Sequence, residues 1–231
     1  MELKANENKK VEIEVDGNKY DRYAIKTHFV QIGENFLDII EKYVSPVYQE
    51  GDFISISEKI VSLCQERVVY KKDIKVSKLA NFLSKFAMRT DAGVGVDSPY
   101  KMQFAINICG KLKVIYAAIA SGITKLFGIR GTFYRIVGQE VSGLDGFYNK
   151  VFEDYGEFGI RIPEKTDEVC QEIYDKLGIK AMIVDANDLN VEIYGKSREL
   201  DEDIEFLRKV IKDNPAGQSK QLTPIILIRK K

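Results

Sequence analysis

Three polar residues directly follow an apolar run in the last quarter of the chain. The run covers residues 181–184, and Asp185, Asn187 and Asp188 come after it. Polar groups at the carboxyl end of a buried strand commonly face a ligand crevice in α/β proteins. A carboxylate there suits Mg²⁺, which binds through one or two carboxylates plus phosphate oxygens. The alternative is a turn or helix N-cap, in which Asp and Asn bond to the nearby backbone.

Glycine-flanked aspartates occur at two other places. Asp145 lies in SGLDGF, whose glycines let the backbone turn sharply and approach a ligand closely. Asp91 and Asp97 lie in DAGVGVDSP, which lacks the GKS or GKT end of a P-loop and does not fit GxGxxG. We interpret the second segment as an ordinary loop. A single aspartate between glycines does not by itself define a site.

A lysine and an amide complete the set of candidate residues. Lys59 follows the β-branched run that begins at Phe53, where its side chain either snorkels to solvent or contacts an anion such as phosphate. An unpaired buried lysine would be costly, so we expect Lys59 to have a partner. Gln218 follows Gly217 just before the C-terminal apolar run, and Asn214 lies upstream. A ligand-binding amide and a plain turn are the two interpretations.

The composition excludes several kinds of chemistry. The 231 residues contain 35 basic and 35 acidic side chains, so no net charge attracts nucleic acid or an anionic membrane. The single histidine, His28, and three cysteines provide neither a paired CxxC zinc motif nor an even count for a disulfide framework. Free thiols and the polar start MELKANENKK predict a cytoplasmic protein without a signal peptide. We expect no nucleic-acid or membrane partner.

One apolar stretch, VIYAAIASGI, spans residues 114–123. About ten residues are half of what a membrane-spanning helix needs. The small residues in this stretch suit close helix packing. We therefore predict a helix that is buried in the core.

Hydrophobic periodicity predicts both strands and helices along the chain. A hairpin with Asp16-Gly17 as its turn opens the chain, and a strand within residues 53–63 delivers Ser57, Glu58 and Lys59 at or beyond its end. Further strands are predicted at 131–138, 179–184, 189–195 and 223–231. Helices are predicted at 33–44, 76–88, within 100–137, at 163–178 and at 200–213, with Ser77 as an N-cap and Gly178 as a C-cap. This mixture of hairpin and strand-helix-strand units predicts a mixed α/β (α+β) architecture.

Read in order, these segments resemble the coenzyme F-420:gamma-glutamyl ligase family. The family pattern begins with an acidic helix, which is matched by GENFLDIIEKY. It continues with GD, a β run and KIVSKAEGR, which are matched by GDFISISEKIVSLCQERVV. Its NAGID segment is similar to SGLDG, and its helix and strand ending in SDTFGR are similar to PEKTDEVCQEIYDKLGIKAMIVDANDL. Its closing GQ and PVVLVRG strand resemble GQSKQLTPIILIR. The resemblance spans residues 25–229.

The resemblance implies a two-lobed gamma-glutamyl-ligase-like fold with mixed sheets. The whole chain, 1–231, would be one ligase-like domain, with possible lobes at about 20–140 and 141–231. The family adds glutamate to a deazaflavin coenzyme precursor, using a nucleoside triphosphate (GTP or ATP) and a divalent metal (Mg²⁺ or Mn²⁺), and a homodimer is expected. The implied metal ligands are Asp145, Asp185 and Gln218. The implied nucleotide-binding residues are Ser57, Lys59, Ser62, Asn214 and Gln218, and Lys59 and Asp185 are the implied catalytic residues.

The sequence departs from the family pattern at two motifs. KAEG is replaced by residues 63–66, LCQE, so the family's second lysine is absent. SDTFGR is replaced by VDANDL, which puts Ala186 where the family has threonine. The leading hypothesis is therefore a nucleotide- and metal-dependent amide ligase that adds an amino acid, which the resemblance implies is glutamate, to a small acceptor bearing a carboxylate or phosphate. The alternative is a non-catalytic nucleotide- or metabolite-binding homologue.

Overall fold

The chain folds into two compact units. The structure, a computed structural model, describes residues 3–87, 95–147, 156–187, 190–217 and 221–231. The first unit consists of Met1–Glu66 and Pro163–Lys231, and the second unit is Arg67–Ile162. The second unit is therefore inserted into the first, whereas the sequence suggested two consecutive lobes that meet near residue 140.

Strands and helices are mixed in both units, as expected for an α+β fold. The strands are β1 (Glu12–Val15), β2 (Asn18–Ile25), β3 (Phe53–Ser57), β4 (Val68–Tyr70), β5 (Asp145–Gly146), β6 (Phe158–Ile160), β7 (Lys180–Ala186), β8 (Val191–Lys196) and β9 (Ile225–Lys230). The helices are α1 (Phe36–Tyr43), α2 (Glu58–Cys64), α3 (Lys78–Ser84), α4 (Pro99–Cys109), α5 (Lys111–Leu126), α6 (Thr132–Val137), α7 (Gln139–Ser142), α8 (Thr166–Leu177) and α9 (Ile204–Val210), with a 3₁₀ turn at Lys71–Asp73.

A six-stranded mixed sheet forms the centre of the first unit, in the order β1-β2-β9-β3-β7-β8. The pair β3–β7 is parallel, and the other neighbouring strands are antiparallel. Alternate residues of the central strands enter two separate hydrophobic clusters. For example, Ile183 packs with residues of α1, α2 and α8, while Val184 packs with residues of α9. Burial on both faces explains why these strands are nearly continuous apolar runs.

The second unit combines helices α3–α7 with a three-stranded antiparallel sheet, in the order β4-β6-β5. Its core contains Met102, Phe104 and Ile106 from α4, together with Val114 and Ala117 from α5. Helix α3 begins at the predicted N-cap, because the Ser77 hydroxyl accepts a hydrogen bond from the Ala80 N–H over 3.1 Å.

Three predictions about local structure were wrong. Strand β3 ends at Ser57, and the following residues, which the sequence did not indicate as helical, form α2. The β-branched segment 131–138 forms helix α6, because Phe133 and Val137 are four residues apart and pack together into the core. Helix α5 is not buried as a whole: only Val114 and Ala117 of its residues are buried.

The other predicted elements are present, and helix α8 ends at Gly178 in the left-handed conformation expected of a C-cap glycine. None of the helices in the described ranges has both the length and the apolar character that crossing a membrane requires.

Candidate functional site

The carboxyl ends of the parallel strands β3 and β7 bring two predicted site residues to one edge of the main sheet. Ser57 ends β3 and is paired with Val184, so Asp185 follows one position later on β7. The Ser57 N–H donates to the Pro224 carbonyl over 2.8 Å, which adds the segment preceding β9 to the same edge. Polar groups from two parallel strands therefore meet where α/β proteins bind ligands.

Asp185 is a residue of strand β7. It is partly exposed and pairs with Glu192 of β8. The turn that follows is closed by Asn187, whose backbone N–H donates to the Asn190 carbonyl and whose Oδ1 accepts from the Asn190 N–H, both over 3.0 Å. The local hydrogen bonds that the turn interpretation required are thus made by Asn187. Asp188 lies outside the described residues.

The β3–α2 turn places Lys59 and Glu58 directly after Ser57. Lys59 has the expected partner, because its Nζ lies 3.3 Å from the Glu58 carboxylate. The Lys59 side chain is 34% exposed, whereas that of Glu58 is 8% exposed. The ammonium is therefore at the surface and next to a buried counter-charge. Ser57 is partly exposed. It is the N-cap residue of helix α2, so it lies just outside the helix.

Ser62 lies one turn further along α2 and is completely buried. Its hydroxyl has no hydrogen-bond partner within the described ranges. A buried hydroxyl without a partner costs free energy, so a group that is not part of the described chain, such as a water molecule, would be stabilising here.

The segment before β9 is held by buried amides. Asn214 is 1% exposed and adopts a left-handed conformation with φ of 48°. The side-chain amide of Asn6 donates to the carbonyls of Pro215 and Ala216 and to the Thr223 hydroxyl, over 2.8–3.0 Å. These bonds fix the backbone on both sides of Gln218, which itself lies outside the described residues. Asn214 is buried in this loop, and its role in nucleotide binding stays a prediction.

Asp145 belongs to the second unit, where it opens the two-residue strand β5. Its carboxylate is partly exposed and accepts a hydrogen bond from the Gly146 N–H over 2.8 Å. Gly146 has φ of 99°, and a Cβ at this position would lie 2.5 Å from the Phe158 carbonyl oxygen. The close approach that requires this glycine is therefore to strand β6.

Lys101 is a residue of interest that the sequence did not indicate. It is 3% exposed, and its Nζ donates to the carbonyls of Ser142 and Leu144 over 3.1 and 2.6 Å. The ammonium thereby holds the backbone directly before Asp145. Burial lowers the pKa of Lys101 to about 8, and the charges of Asp145 and Asp97 oppose that shift. The sequence gives one indication of Lys101, namely a lysine beside an apolar helical run. The same pattern is typical of a lysine whose side chain snorkels to solvent.

The depressed pKa of Lys101 predicts a specific pH dependence of stability. The folded pKa of about 8 is below the ordinary value of 10.5, so the unfolded chain binds more protons between these values and stability rises with pH. Relative to Lys101→Met, the free energy of unfolding of the unsubstituted chain should rise by roughly 1.5 kcal/mol from pH 8 to pH 9.5. Urea unfolding in EDTA measures this difference. The control is Lys85→Met at an exposed lysine; a pH-independent difference for Lys101→Met would contradict the prediction.

Two of the thiols are unsuited to nucleophilic chemistry. Burial raises the pKa of Cys64 to about 12, and it also raises the pKa of Cys170. Because the thiolate is the reactive form, both cysteines are inert near neutral pH.

The predicted divalent cation can be compared with the carboxylates of the described residues. Within the described ranges, no group of three or more His, Cys, Asp or Glu side chains is arranged to hold a metal ion. Mg²⁺ usually takes one or two carboxylates, phosphate oxygens and water, and does not need an all-protein cage. Asp185 in the first unit and Asp145 in the second are each partly exposed carboxylates, so each by itself has the donor chemistry for this mode, and their binding of a cation stays a prediction.

In a comparison with protein families, residues 24–188 match the F420-0:Gamma-glutamyl ligase family model. The matched range is more than two thirds of the chain. The protein belongs to this ligase family. The match includes Ser57, Lys59, Ser62, Asp145 and Asp185, whereas Asn214 and Gln218 lie beyond its end. No curated protein matches the chain. Membership of the gamma-glutamyl ligase family supports an enzyme that forms a bond between two substrates, and the roles of the individual residues stay predictions.

Proposed function

We propose that this protein is an amide ligase that uses a nucleoside triphosphate, GTP or ATP, and a divalent cation, Mg²⁺ or Mn²⁺. It joins an amino acid, glutamate, to a small acceptor that carries a carboxylate or phosphate. The observation that supports this most directly is the convergence of Ser57 and Asp185 at the carboxyl edge of β3 and β7, in a chain of the gamma-glutamyl ligase family.

Amide formation from a carboxylate needs activation. An oxygen of the acceptor carboxylate attacks the terminal phosphorus of the nucleotide, the bond to the bridging oxygen breaks, and the nucleoside diphosphate leaves. The amine of glutamate then attacks the carbonyl carbon of the acyl phosphate. Inorganic phosphate leaves with the bonding electron pair, and the amine loses a proton. Phosphoryl transfer of this kind depends on positioning and charge neutralisation, so it does not require a histidine.

The residues at the sheet edge have distinct roles in this proposal. Lys59 contacts phosphate oxygens through its surface ammonium, and buried Glu58 limits the directions in which the lysine can point. The Ser57 hydroxyl, at the end of β3, donates to the nucleotide. Asp185 holds the cation, and the family resemblance assigns the same role to Asp145 and Gln218. When bound, the cation neutralises negative charge on the transferring phosphoryl group.

Incorporation of labelled glutamate tests the proposal. The full chain is incubated with Mg²⁺ or Mn²⁺, GTP or ATP, labelled glutamate and a panel of small acceptors that includes deazaflavin precursors. We expect a labelled amide product in amounts equal to the nucleoside diphosphate and phosphate released. An enzyme that hydrolyses nucleotide without forming amide, or that needs no metal, would contradict this assignment.

The departures at residues 63–66 and at Ala186 favour one other candidate, a non-catalytic nucleotide- or metabolite-binding homologue. Ala186 ends β7 beside Asp185 and supplies no hydroxyl to the proposed site. In this case calorimetry should detect nucleotide binding while every acceptor in the panel remains unmodified. Asp185→Asn should then leave nucleotide affinity little changed.

A further inference from the structure

Helix α5 presents a stripe of large apolar side chains to solvent. Val114 and Ala117, on the opposite side of the helix, are completely buried in the core of the second unit. Five residues of the helix and two of the turn that follows it are 48–85% exposed, and we call these seven the stripe: Leu112, Tyr116, Ile119, Ile123, Leu126, Phe127 and Ile129. The stripe covers roughly 900 Å², taking about 200 Å² for a fully exposed side chain of this size. It therefore exceeds the apolar patches of about 300–600 Å² found on typical monomers.

The charged residues around the stripe are all basic. From residue 98 to residue 139 the sequence contains six basic residues and no acidic residue. Four exposed basic residues are adjacent in sequence to a member of the stripe: Lys111, Lys113, Lys125 and Arg130. None of these four forms an ion pair with a carboxylate of the described residues. The apolar surface is thus bordered by positive charge that the described part of the chain does not neutralise.

Two of the lysines flank the stripe on both sides. At about 100° per residue around a helix, Lys111 and Lys113 lie about 100° to either side of Leu112. The first turn of α5 contains no acidic residue, and these lysines lie at the positive end of the helix dipole, so they do not stabilise the helix itself. An apolar face with basic residues along its borders is typical of a helix that lies on an anionic lipid surface.

The zero net charge of the whole chain conceals this arrangement. The second unit, residues 67–162, contains 15 basic and 8 acidic residues, a net charge of +7, and the first unit carries the compensating −7. Within the described ranges, ten of the eleven exposed large apolar side chains belong to the second unit, and Ile204 is the other. The expectation of no membrane partner depends on the sum over the whole chain, whereas attraction to a surface depends on the local charge.

We propose that the stripe is the docking surface for an anionic lipid bilayer, on which α5 lies parallel to the membrane plane. The apolar side chains enter the boundary between headgroups and acyl chains, and the flanking lysines contact lipid phosphates. A second copy of the stripe is a poorer partner, because α5 carries lysines in both its first and its last turn. A parallel pair would place like ends together, and an antiparallel pair would place Lys125 near two lysines of the other copy.

Co-sedimentation with vesicles tests the role of the charges. We expect the full chain to sediment with vesicles of phosphatidylcholine and phosphatidylglycerol in equal amounts, and to stay in solution with phosphatidylcholine alone. Each lysine near an anionic surface contributes about five-fold in affinity, so Lys111→Gln/Lys113→Gln should bind about 25-fold more weakly. Lys176→Gln/Lys212→Gln, at two exposed lysines of the first unit, is the matched control and should bind like the unsubstituted chain. Equal binding to both kinds of vesicle, or no binding to the mixed vesicles, would overturn the proposal.

A tryptophan reporter tests whether the stripe enters lipid. The chain contains no tryptophan, so Phe127→Trp provides a single reporter. Its emission should shift to shorter wavelength when the mixed vesicles are added, and brominated acyl chains should quench it. Ile204→Trp, at the exposed isoleucine of the first unit, is the control and should show neither change. A reporter in the stripe that responds no more than the control would contradict insertion.

Ile119→Glu separates a bilayer from a second copy. Ile119 is 59% exposed, so circular dichroism should show an intact fold, whereas vesicle binding should be lost because a charge in the middle of the stripe would have to enter lipid. Light scattering should give the same mass for this variant as for the unsubstituted chain. A mass that Ile119→Glu halves, together with Phe127→Trp emission that is already shifted without vesicles, would show that a second copy covers the stripe and would overturn the proposal. The lysine pair and the reporter decide the question even if Ile119→Glu does not fold.

Discussion

Replacing Asp185 with Asn is expected to abolish the thermal stabilisation that Mg²⁺ or Mn²⁺ and nucleotide together give the chain. Asn keeps the shape of the side chain but removes the negative charge that a hard cation prefers. Loss of about 3 kcal/mol of charge stabilisation corresponds to a decrease in ligation rate of about 100-fold. The fold should be retained, because Asp185 is partly exposed at the end of β7 and the adjacent turn is closed by Asn187.

A matched variant separates this effect from a general loss of charge. Glu14→Gln also removes one exposed carboxylate from the main sheet, but β1 is four strands away from β7. Its ligand-induced shift in melting temperature should equal that of the unsubstituted chain. Asp188→Asn, further along the chain, is expected to have a smaller effect than Asp185→Asn. If the ligand-induced shift is unchanged in Asp185→Asn, this residue does not bind the cation.

The sequence predicts the main sheet well because its strands carry strong local signals. Asp16-Gly17 can form only a tight turn between two alternating runs, and the runs that end at Val184 and at Ile228 are apolar enough to require burial on both faces. The position of Asp185 at the end of a buried strand follows from the same pattern. These predictions succeed because each depends on a few consecutive residues.

Features that depend on distant residues were not predictable in this way. Segment 131–138 has the β-branched and aromatic composition of a strand, yet its contacts with the core of the second unit select a helix. Strands β4 and β6 pair although about 90 residues separate them, so the insertion of the second unit leaves no mark in the local sequence. Likewise, nothing in the sequence near Lys101 shows that its ammonium donates hydrogen bonds to two carbonyls more than 40 residues away.

Asp52, which belongs to the family resemblance, also makes contacts with distant residues that the sequence does not predict. The GD pair before β3 matches the family pattern, and the sequence analysis assigns no partner to its aspartate. In the structure the side chain of Asp52 is 2% exposed and accepts hydrogen bonds from Nε and Nη2 of Arg229, over 2.9 and 2.6 Å. Arg229 also donates to the Val47 carbonyl over 3.0 Å. The pair therefore fastens the end of β9 to the start of β3.

Asp52→Asn should lower the free energy of unfolding by about 2–3 kcal/mol, because the buried Asp52 carboxylate is lost and the Arg229 guanidinium, 21% exposed, is left without its counter-charge. The double variant Asp52→Asn/Arg229→Met should lose less than the sum of the two single variants, since neither charge then remains. Asp16→Asn is the control: its ion pair with Lys209 is more than half exposed on both sides and should contribute little. Urea unfolding followed by circular dichroism measures all four variants. Additive losses in the double variant would show that Asp52 and Arg229 stabilise the sheet independently, contrary to the geometry of the pair.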